Sequence, residues 1–253
     1  MPERLALHEV LTERVAIPVD DGAPPMSAYV ARPAAPGAHP AVIVAHELFG
    51  VTAHVRDVAE RVASTGYVAL APDLYHRSDP WVELPHDAAG REAGFALLHR
   101  MTRAGTLADV GAAYEQLRDG GAPRIGMLGL SLGGHVAYLA AAELDLAALV
   151  VAYGGWIPTT DIPISRPDPT IDRTASINAR VLVLVGGQDD AVNADQRAAV
   201  ATALHDAGVR HEIVEYPGAS HGFLCDRRDT FDSAAAADAW TRIDALFSSE
   251  LRE

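Results

Sequence analysis

The stretch RIGMLGLSLGG, residues 124–134, decides the fold. Its first seven residues form a mostly apolar run typical of a buried strand, and an alanine-rich helical pattern runs from Leu132 to Leu144. Between them, Gly129–Gly133 matches G-x-S-x-G. The five residues alone are a weak signal, but a strand before and a helix after are the context of a nucleophile elbow, which holds a serine hydroxyl above a sheet. The pattern therefore predicts that Ser131 lies in a tight strand-to-helix turn with its hydroxyl exposed above the sheet.

Short apolar runs alternate with helical patterns on both sides of this turn. The expected strands are Val15–Val19, Ala28–Ala31, Ala41–Ala45, Tyr67–Ala71, Arg124–Leu130, Leu146–Tyr153, Val181–Val185 and Glu212–Tyr216. The expected helices are His54–Thr65, Leu107–Leu117, Leu132–Leu144, Ala194–Ala207 and Ser233–Phe247. This alternation predicts an α/β fold, with a mostly parallel sheet and helices on both faces. No composition break divides the chain, so we expect one domain over residues 1–253. The proline-rich segment Trp156–Ile177 is expected to be a loop that borders a pocket.

The composition narrows the classes of function. The chain has 253 residues, 49% of them hydrophobic, and a formal charge of −14, which disfavours nucleic acid and membrane surfaces as partners. All 20 basic residues are arginine, which excludes a Schiff-base lysine, a P-loop lysine and a Ser-Lys pair. The single cysteine, Cys225, predicts neither an internal disulfide nor a cysteine-based zinc site. Residues 1–18 lack an apolar signal-peptide core, so we expect a cytoplasmic protein.

A nucleophilic serine needs a base, and the base needs an acid that orients it. In the chain order typical of serine hydrolases with this elbow, the acid follows the serine and the histidine comes last. Asp189 and His221 each follow a predicted strand, where open α/β sheets place their sites. Asp190 is the competing acid. His205, within a predicted helix, and His211, at a strand start, are the competing bases.

Acyl transfer also needs two donors for the oxyanion. The amide of Leu132, directly after the serine, is the first candidate. The second is expected from the loop after Ala41–Ala45, which reads HELFG at residues 46–50. This pentapeptide is not the zinc motif H-E-x-x-H, because its fifth residue is Gly50.

With these motifs in place, the sequence resembles the dienelactone hydrolase family. The matching stretches are HELFGV and VRDVAERVASTGYVALAPDLY within residues 46–75, GLSLGG at 129–134, GGQDDAV at 186–192 and SHGF at 220–223. The resemblance implies an α/β-hydrolase domain without a large cap. It implies hydrolysis of a small-molecule ester or lactone through an acyl-enzyme, without a metal or organic cofactor.

The resemblance also assigns roles to residues. The family nucleophile is usually cysteine, and Ser131 stands in its place. The acid and base map onto Asp189 and His221, and the second oxyanion donor maps onto the amide of Leu48. The family's glutamate maps onto Glu47, which either acts on the proton of the nucleophile or forms an ion pair with an arginine that fixes the oxyanion loop.

Substrate-binding residues transfer less completely. Arg91, in a helix-like stretch, matches a family arginine that binds a substrate carboxylate, but Phe95 replaces the family tyrosine. Cys225 stands where the family has a second carboxylate-binding arginine. We therefore expect a modest preference for carboxylated substrates. Trp156 is a further candidate for the pocket wall.

Two other classes of function use the same residues. A thioesterase or small-amide hydrolase needs the same machinery, and a substrate panel separates it from an esterase. A non-catalytic binding protein on this fold usually lacks one member of the triad, and all three are present here. The sequence specifies neither the acyl and leaving groups nor the oligomeric state.

Overall fold

The fold is built on one eight-stranded sheet. A computed structural model of the protein describes residues 7–252. The strands are β1 (Val10–Ile17), β2 (Met26–Pro33), β3 (Ala41–Ala45), β4 (Val68–Pro72), β5 (Ile125–Leu130), β6 (Ala148–Ala152), β7 (Arg180–Gly186) and β8 (His211–Tyr216). Their order across the sheet is β1-β2-β4-β3-β5-β6-β7-β8. Strand β2 is antiparallel to both of its neighbours, and the other pairings are parallel.

Helices cover both faces of this sheet. They are α1 (Ala53–Ser64), α2 (Ala88–Leu98), α3 (Arg103–Asp119), α4 (Leu132–Ala141), α5 (Ala194–Asp206) and α6 (Ser233–Leu251). Residues of α1 and α6 form the apolar core on one face, and residues of the other four helices form the core on the opposite face. The α/β architecture expected from the alternating patterns is confirmed.

Strand β3 shows why the central strands read as uninterrupted apolar runs. Its residues Ala41, Ile43 and Ala45 belong to one core, and Val42 and Val44 belong to the other. All five are fully buried. A parallel strand covered on both faces needs apolar side chains at every position, because neither face meets water.

The observed boundaries of the strands and helices differ from the predicted ones mainly where an element begins with residues that are not large and apolar. Strand β1 starts five residues earlier than predicted, at Val10, because it is an edge strand with mostly exposed side chains. Helix α3 starts four residues earlier, at Arg103, where the Thr102 side chain accepts a hydrogen bond from the Gly105 amide. Within the predicted loop Trp156–Ile177 lie two 3₁₀ helices, Pro163–Ser165 and Thr170–Ser176.

The described residues stop short of both ends of the chain. Residues 1–6 and 253 lie outside the described residues, so the predicted lack of a signal-peptide core and the outer bounds of the predicted domain are only partly covered. Among the helices within residues 7–252, none is both long and apolar enough to cross a membrane.

Buried hydrogen bonds from α4 hold the segment that contains the 3₁₀ helices. The imidazole of His135 bonds through Nδ1 to the Gly155 carbonyl at 2.9 Å and through Nε2 to the Thr170 hydroxyl at 2.8 Å. The Tyr138 and Thr174 hydroxyls lie 2.6 Å apart. Since a carbonyl can only accept, Nδ1 carries the proton and Nε2 accepts from the hydroxyl. Helix α4 thereby fixes the chain on either side of Trp156.

This arrangement predicts acid sensitivity. Burial lowers the pKa of His135 to about 4. The unfolded chain takes up a proton near pH 6.5 while the folded chain does not, so stability is lost as the pH falls from about 6.5 to about 4. Between about pH 7.5 and about pH 5, His135 should contribute a loss of about 2 kcal/mol in the free energy of unfolding. Denaturant titrations of the protein and of His135→Gln at both pH values measure it. Equal pH dependence in the two chains would contradict the assignment.

Candidate active site

Ser131 lies in a strained turn between β5 and α4. Its backbone has φ 54° and ψ −112°, in a region that residues with side chains rarely adopt. The flanking glycines leave no space for a side chain: a Cβ atom on Gly129 would lie 2.0 Å from the Gly133 carbonyl oxygen, and one on Gly133 would lie 2.1 Å from that of Ala45. The glycines of G-x-S-x-G are therefore required by close backbone contact on both sides of the serine.

The structure brings three of the predicted site residues into one hydrogen-bonded chain. Ser131 Oγ lies 2.8 Å from His221 Nε2, and His221 Nδ1 lies 2.8 Å from Asp189 Oδ2. The other oxygen of Asp189 accepts hydrogen bonds from the amides of Ala191 and Val192, at 2.9 and 3.1 Å. Asp189 is only 3% exposed. A carboxylate held by two amides fixes the orientation of the imidazole, and Nδ1 is then the nitrogen that carries the proton.

The competing acid and bases lie elsewhere. Asp190 is exposed and lies at the rim of the cleft described below. His205 is an exposed residue of α5. His211 starts β8, and its Nδ1 lies 2.7 Å from the Val209 carbonyl oxygen. None of the three is hydrogen-bonded to Ser131 within the described part of the chain.

Two backbone amides near Ser131 lack a partner. Neither the Leu48 nor the Leu132 amide donates a hydrogen bond within residues 7–252, and both residues are buried. Leu132 is the first residue of α4, whose N-terminal amides point toward the turn. A hydrogen bond fixes the loop that contains Leu48: the Leu48 carbonyl accepts a 3.0 Å hydrogen bond from the Tyr75 hydroxyl. His46 Nδ1 lies 2.6 Å from the Glu47 carbonyl oxygen and tightens the same loop.

A cleft of about 460 Å³ opens above Ser131. Phe95 and Trp156 line it together, with ring centroids 6.2 Å apart in an edge-to-face arrangement. Trp156 has φ 58°, and its amide donates a 2.7 Å hydrogen bond to the Gln196 side chain. The helix-like stretch of Arg91 is helix α2, and the exposed Arg91 reaches the cleft without an ion-pair partner among the described residues. The cleft therefore combines an apolar wall with a free cation.

Arg228 is a cleft residue that the sequence did not reveal. It lines the same cleft, and its Nη1 lies 3.6 Å from Glu47 Oε1. Its guanidinium also lies 5.7 Å from the centre of the Phe49 ring. This contact between Arg228 and Glu47 agrees with the alternative in which Glu47 forms an ion pair with an arginine. No motif marks Arg228, since only the turn after His221 brings it to the cleft.

Cys225, which the resemblance places at a substrate-binding position, is fully buried and is not among the residues that line the cleft. Burial raises the pKa of its thiol to about 12. Its role in substrate binding stays a prediction. Arg228 brings a second cation to the cleft from three residues further along the chain.

Comparisons with known proteins identify relatives over nearly the whole chain. The profile of the "Dienelactone hydrolase family" matches residues 26–251. A Synechocystis protein, provisionally named a carboxymethylenebutenolidase, is 38% identical over 234 residues, which cover 90% of this chain and 93% of that protein.

Solved structures agree in fold. A provisionally named dienelactone hydrolase from Klebsiella pneumoniae is 33% identical and superimposes with a TM-score of 0.86, covering 95% of this chain and 99% of the other. A dienelactone hydrolase from Anabaena variabilis has a TM-score of 0.68 at 21% identity, covering 96% of this chain and 100% of the other. The second likeness bears on the fold alone.

Proposed function

The chain belongs to the dienelactone hydrolase family and is a hydrolase that acts on lactone or ester substrates; from this premise we propose that it is a serine carboxylic-ester hydrolase. Ser131 is the nucleophile, His221 the base and Asp189 the orienting acid. The observation that carries the proposal is the chain of two 2.8 Å hydrogen bonds that ends on a serine in a strained turn.

The geometry supports the following sequence of steps. Ser131 Oγ attacks the carbonyl carbon while its proton passes to His221 Nε2, and Asp189 stabilises the imidazolium. The unpartnered amides of Leu48 and Leu132 hold the oxyanion of the tetrahedral intermediate. Collapse expels the alcohol, which takes the proton from His221. Water, activated by the same imidazole, then releases the acid from the acyl-enzyme. Every step uses the chain's own residues.

We propose that the substrate carries a carboxylate near the scissile ester or lactone bond. Arg91 and Arg228 place two cations at the cleft in a protein whose formal charge is −14. A guanidinium suits this role because it binds a carboxylate through two parallel hydrogen bonds. The name of the Synechocystis relative denotes a butenolide lactone with a carboxymethylene group, which fits such a cleft. Phe95 and Trp156 supply an apolar wall for the rest of the acyl chain.

The composition of the chain also bears on its domain organisation, its partners and its location. We propose a single domain over residues 1–253 that binds small molecules rather than nucleic acid or membranes, because the chain is strongly acidic. A cytoplasmic location agrees with its one cysteine, Cys225, which is free.

Substitutions of the hydrogen-bonded chain test the proposed chemistry. Ser131→Ala should lower kcat/KM for a simple ester by at least about a thousandfold. Asp189→Asn should lower it by about two to four powers of ten, because an amide favours the wrong imidazole tautomer. Asp190→Asn is the matched control and should leave turnover close to that of the parent. Steady-state kinetics on one ester measure all three, and a reversed ranking of the two aspartates would move the acid to Asp190.

Paired substrates test the role of the two arginines. Arg91→Ala and Arg228→Ala should each lower kcat/KM for a carboxylated ester about 10- to 100-fold relative to its neutral analogue, the value of one charged hydrogen-bonded pair. Arg227→Ala is the control, because that exposed arginine pairs with Asp57 outside the cleft. If the ratio between the two substrates stays the same in both cleft variants, the proposed carboxylate site is wrong.

A further inference from the structure

A second group of reactive side chains lies behind the oxyanion loop. Potential metal-ligating atoms of Glu47, His86 and Cys225 all lie within 4.8 Å of one another. Glu47 is 1% exposed and Cys225 is fully buried, whereas His86 is half-buried. An edge-to-face contact with Phe49, with ring centroids 4.6 Å apart, holds the His86 ring. The cluster therefore has two buried members and one that borders solvent.

The polar atoms of this region lack partners. Both carboxylate oxygens of Glu47, Nε2 of His86, Nε2 of His54 and the Tyr153 hydroxyl are buried without a hydrogen bond among residues 7–252. The negative charge of Glu47 acts on His54, His86, Tyr153 and the Cys225 thiol. Buried polar atoms are almost always satisfied, and each exception needs an explanation, such as strain, a catalytic role, an ordered water or a bound ion. A ligand that accepts electron pairs would satisfy Glu47 and His86 at once and would also be within reach of the Cys225 thiol.

Although the sequence predicted no cysteine-based zinc site, we propose that Glu47, His86 and Cys225 form a binding site for a thiophilic divalent cation such as Zn²⁺. The donor set is one carboxylate oxygen, one imidazole nitrogen and one sulfur, all of which are ligand types that zinc accepts. Three protein ligands leave a fourth position for water. Neither His86 nor Cys225 takes part in the hydrolytic steps proposed above, so loss of cation binding in variants of these two residues is distinguishable from failure of the ester chemistry.

The surrounding charges are compatible with a cation. Arg228 lies 3.6 Å from Oε1 of Glu47, which leaves Oε2 as the ligand oxygen. One carboxylate and one thiolate neutralise a divalent ion, and the further charges that act on the cluster are those of Arg228, Arg227 and Asp226. The half-buried His86 also marks the side from which an ion can enter.

Binding releases one proton. When the cation bonds to Sγ, the S–H bond breaks and its proton passes to solvent. The cation is neither oxidised nor reduced.

Cobalt provides a specific test. Co²⁺ occupies zinc sites, and its bond to a thiolate produces a charge-transfer absorption band that carboxylate or histidine ligands alone do not. Because Cys225 is the only cysteine of the chain, such a band can come from no other residue. The full-length protein, freed of metal by a chelator, is titrated with Co²⁺ and then with Zn²⁺. We expect one Co²⁺ per chain, a thiolate band, and loss of that band as Zn²⁺ replaces it.

Variants separate this site from surface binding. Cys225→Ser should abolish the band, and His86→Gln should weaken Zn²⁺ binding at least about 100-fold, since loss of an outer partner of a ligand already costs about 10- to 100-fold. His205→Gln, at an exposed histidine of α5, is the matched control and should bind as the parent does. Circular dichroism checks that each variant is folded, and the half-buried His86 tests the site even if Cys225→Ser does not fold. Absence of the thiolate band in the parent, or equal Zn²⁺ affinity in parent and His86→Gln, would overturn the proposal.

Discussion

The structure depends on the close approach of three backbone segments around Ser131. Strand β3, the turn after β5 and the first turn of α4 meet where Gly129 and Gly133 have no room for a side chain. This close approach requires Ser131 to adopt an unfavourable backbone conformation, which costs about 1–3 kcal/mol. Its amide donates a 2.9 Å hydrogen bond to the Ala152 carbonyl, which holds the turn to β6. The same contact brings the loop after β3, with the Leu48 amide, beside the serine.

The residues that the sequence predicted share a local signal. Ser131, Asp189 and His221 each follow a strand, and parallel strands bring their carboxyl ends to one edge of the sheet. Pattern and topology together thus suffice to predict that the three lie close together. The apolar runs likewise predicted β3 with its observed bounds, because burial on both faces excludes polar residues from every position.

Arg228 and the buried cluster could not be predicted in this way. Their positions depend on the irregular turns between β8 and α6 and on the segment that enters α2, which carry no periodic pattern. The resemblance to the family assigned the position of the second carboxylate-binding arginine to Cys225, whereas Arg228 lies three residues further along the chain. Strand β1 and helix α3 were predicted too short for a related reason, since hydropathy patterns detect large apolar residues. Most side chains of β1 are exposed, and the first four residues of α3, from Arg103 to Thr106, include no large apolar residue.

Labelling with a fluorophosphonate shows whether Ser131 becomes covalently modified as the proposed acyl-enzyme requires. The serine oxygen displaces fluoride from phosphorus, and peptide mass spectrometry then identifies the modified residue. We expect one adduct per chain, on the peptide that contains Ser131. This adduct should form much more slowly in Asp189→Asn, because the imidazole is no longer oriented. An adduct on another residue, or equal labelling of Ser131→Ala, would contradict the proposal.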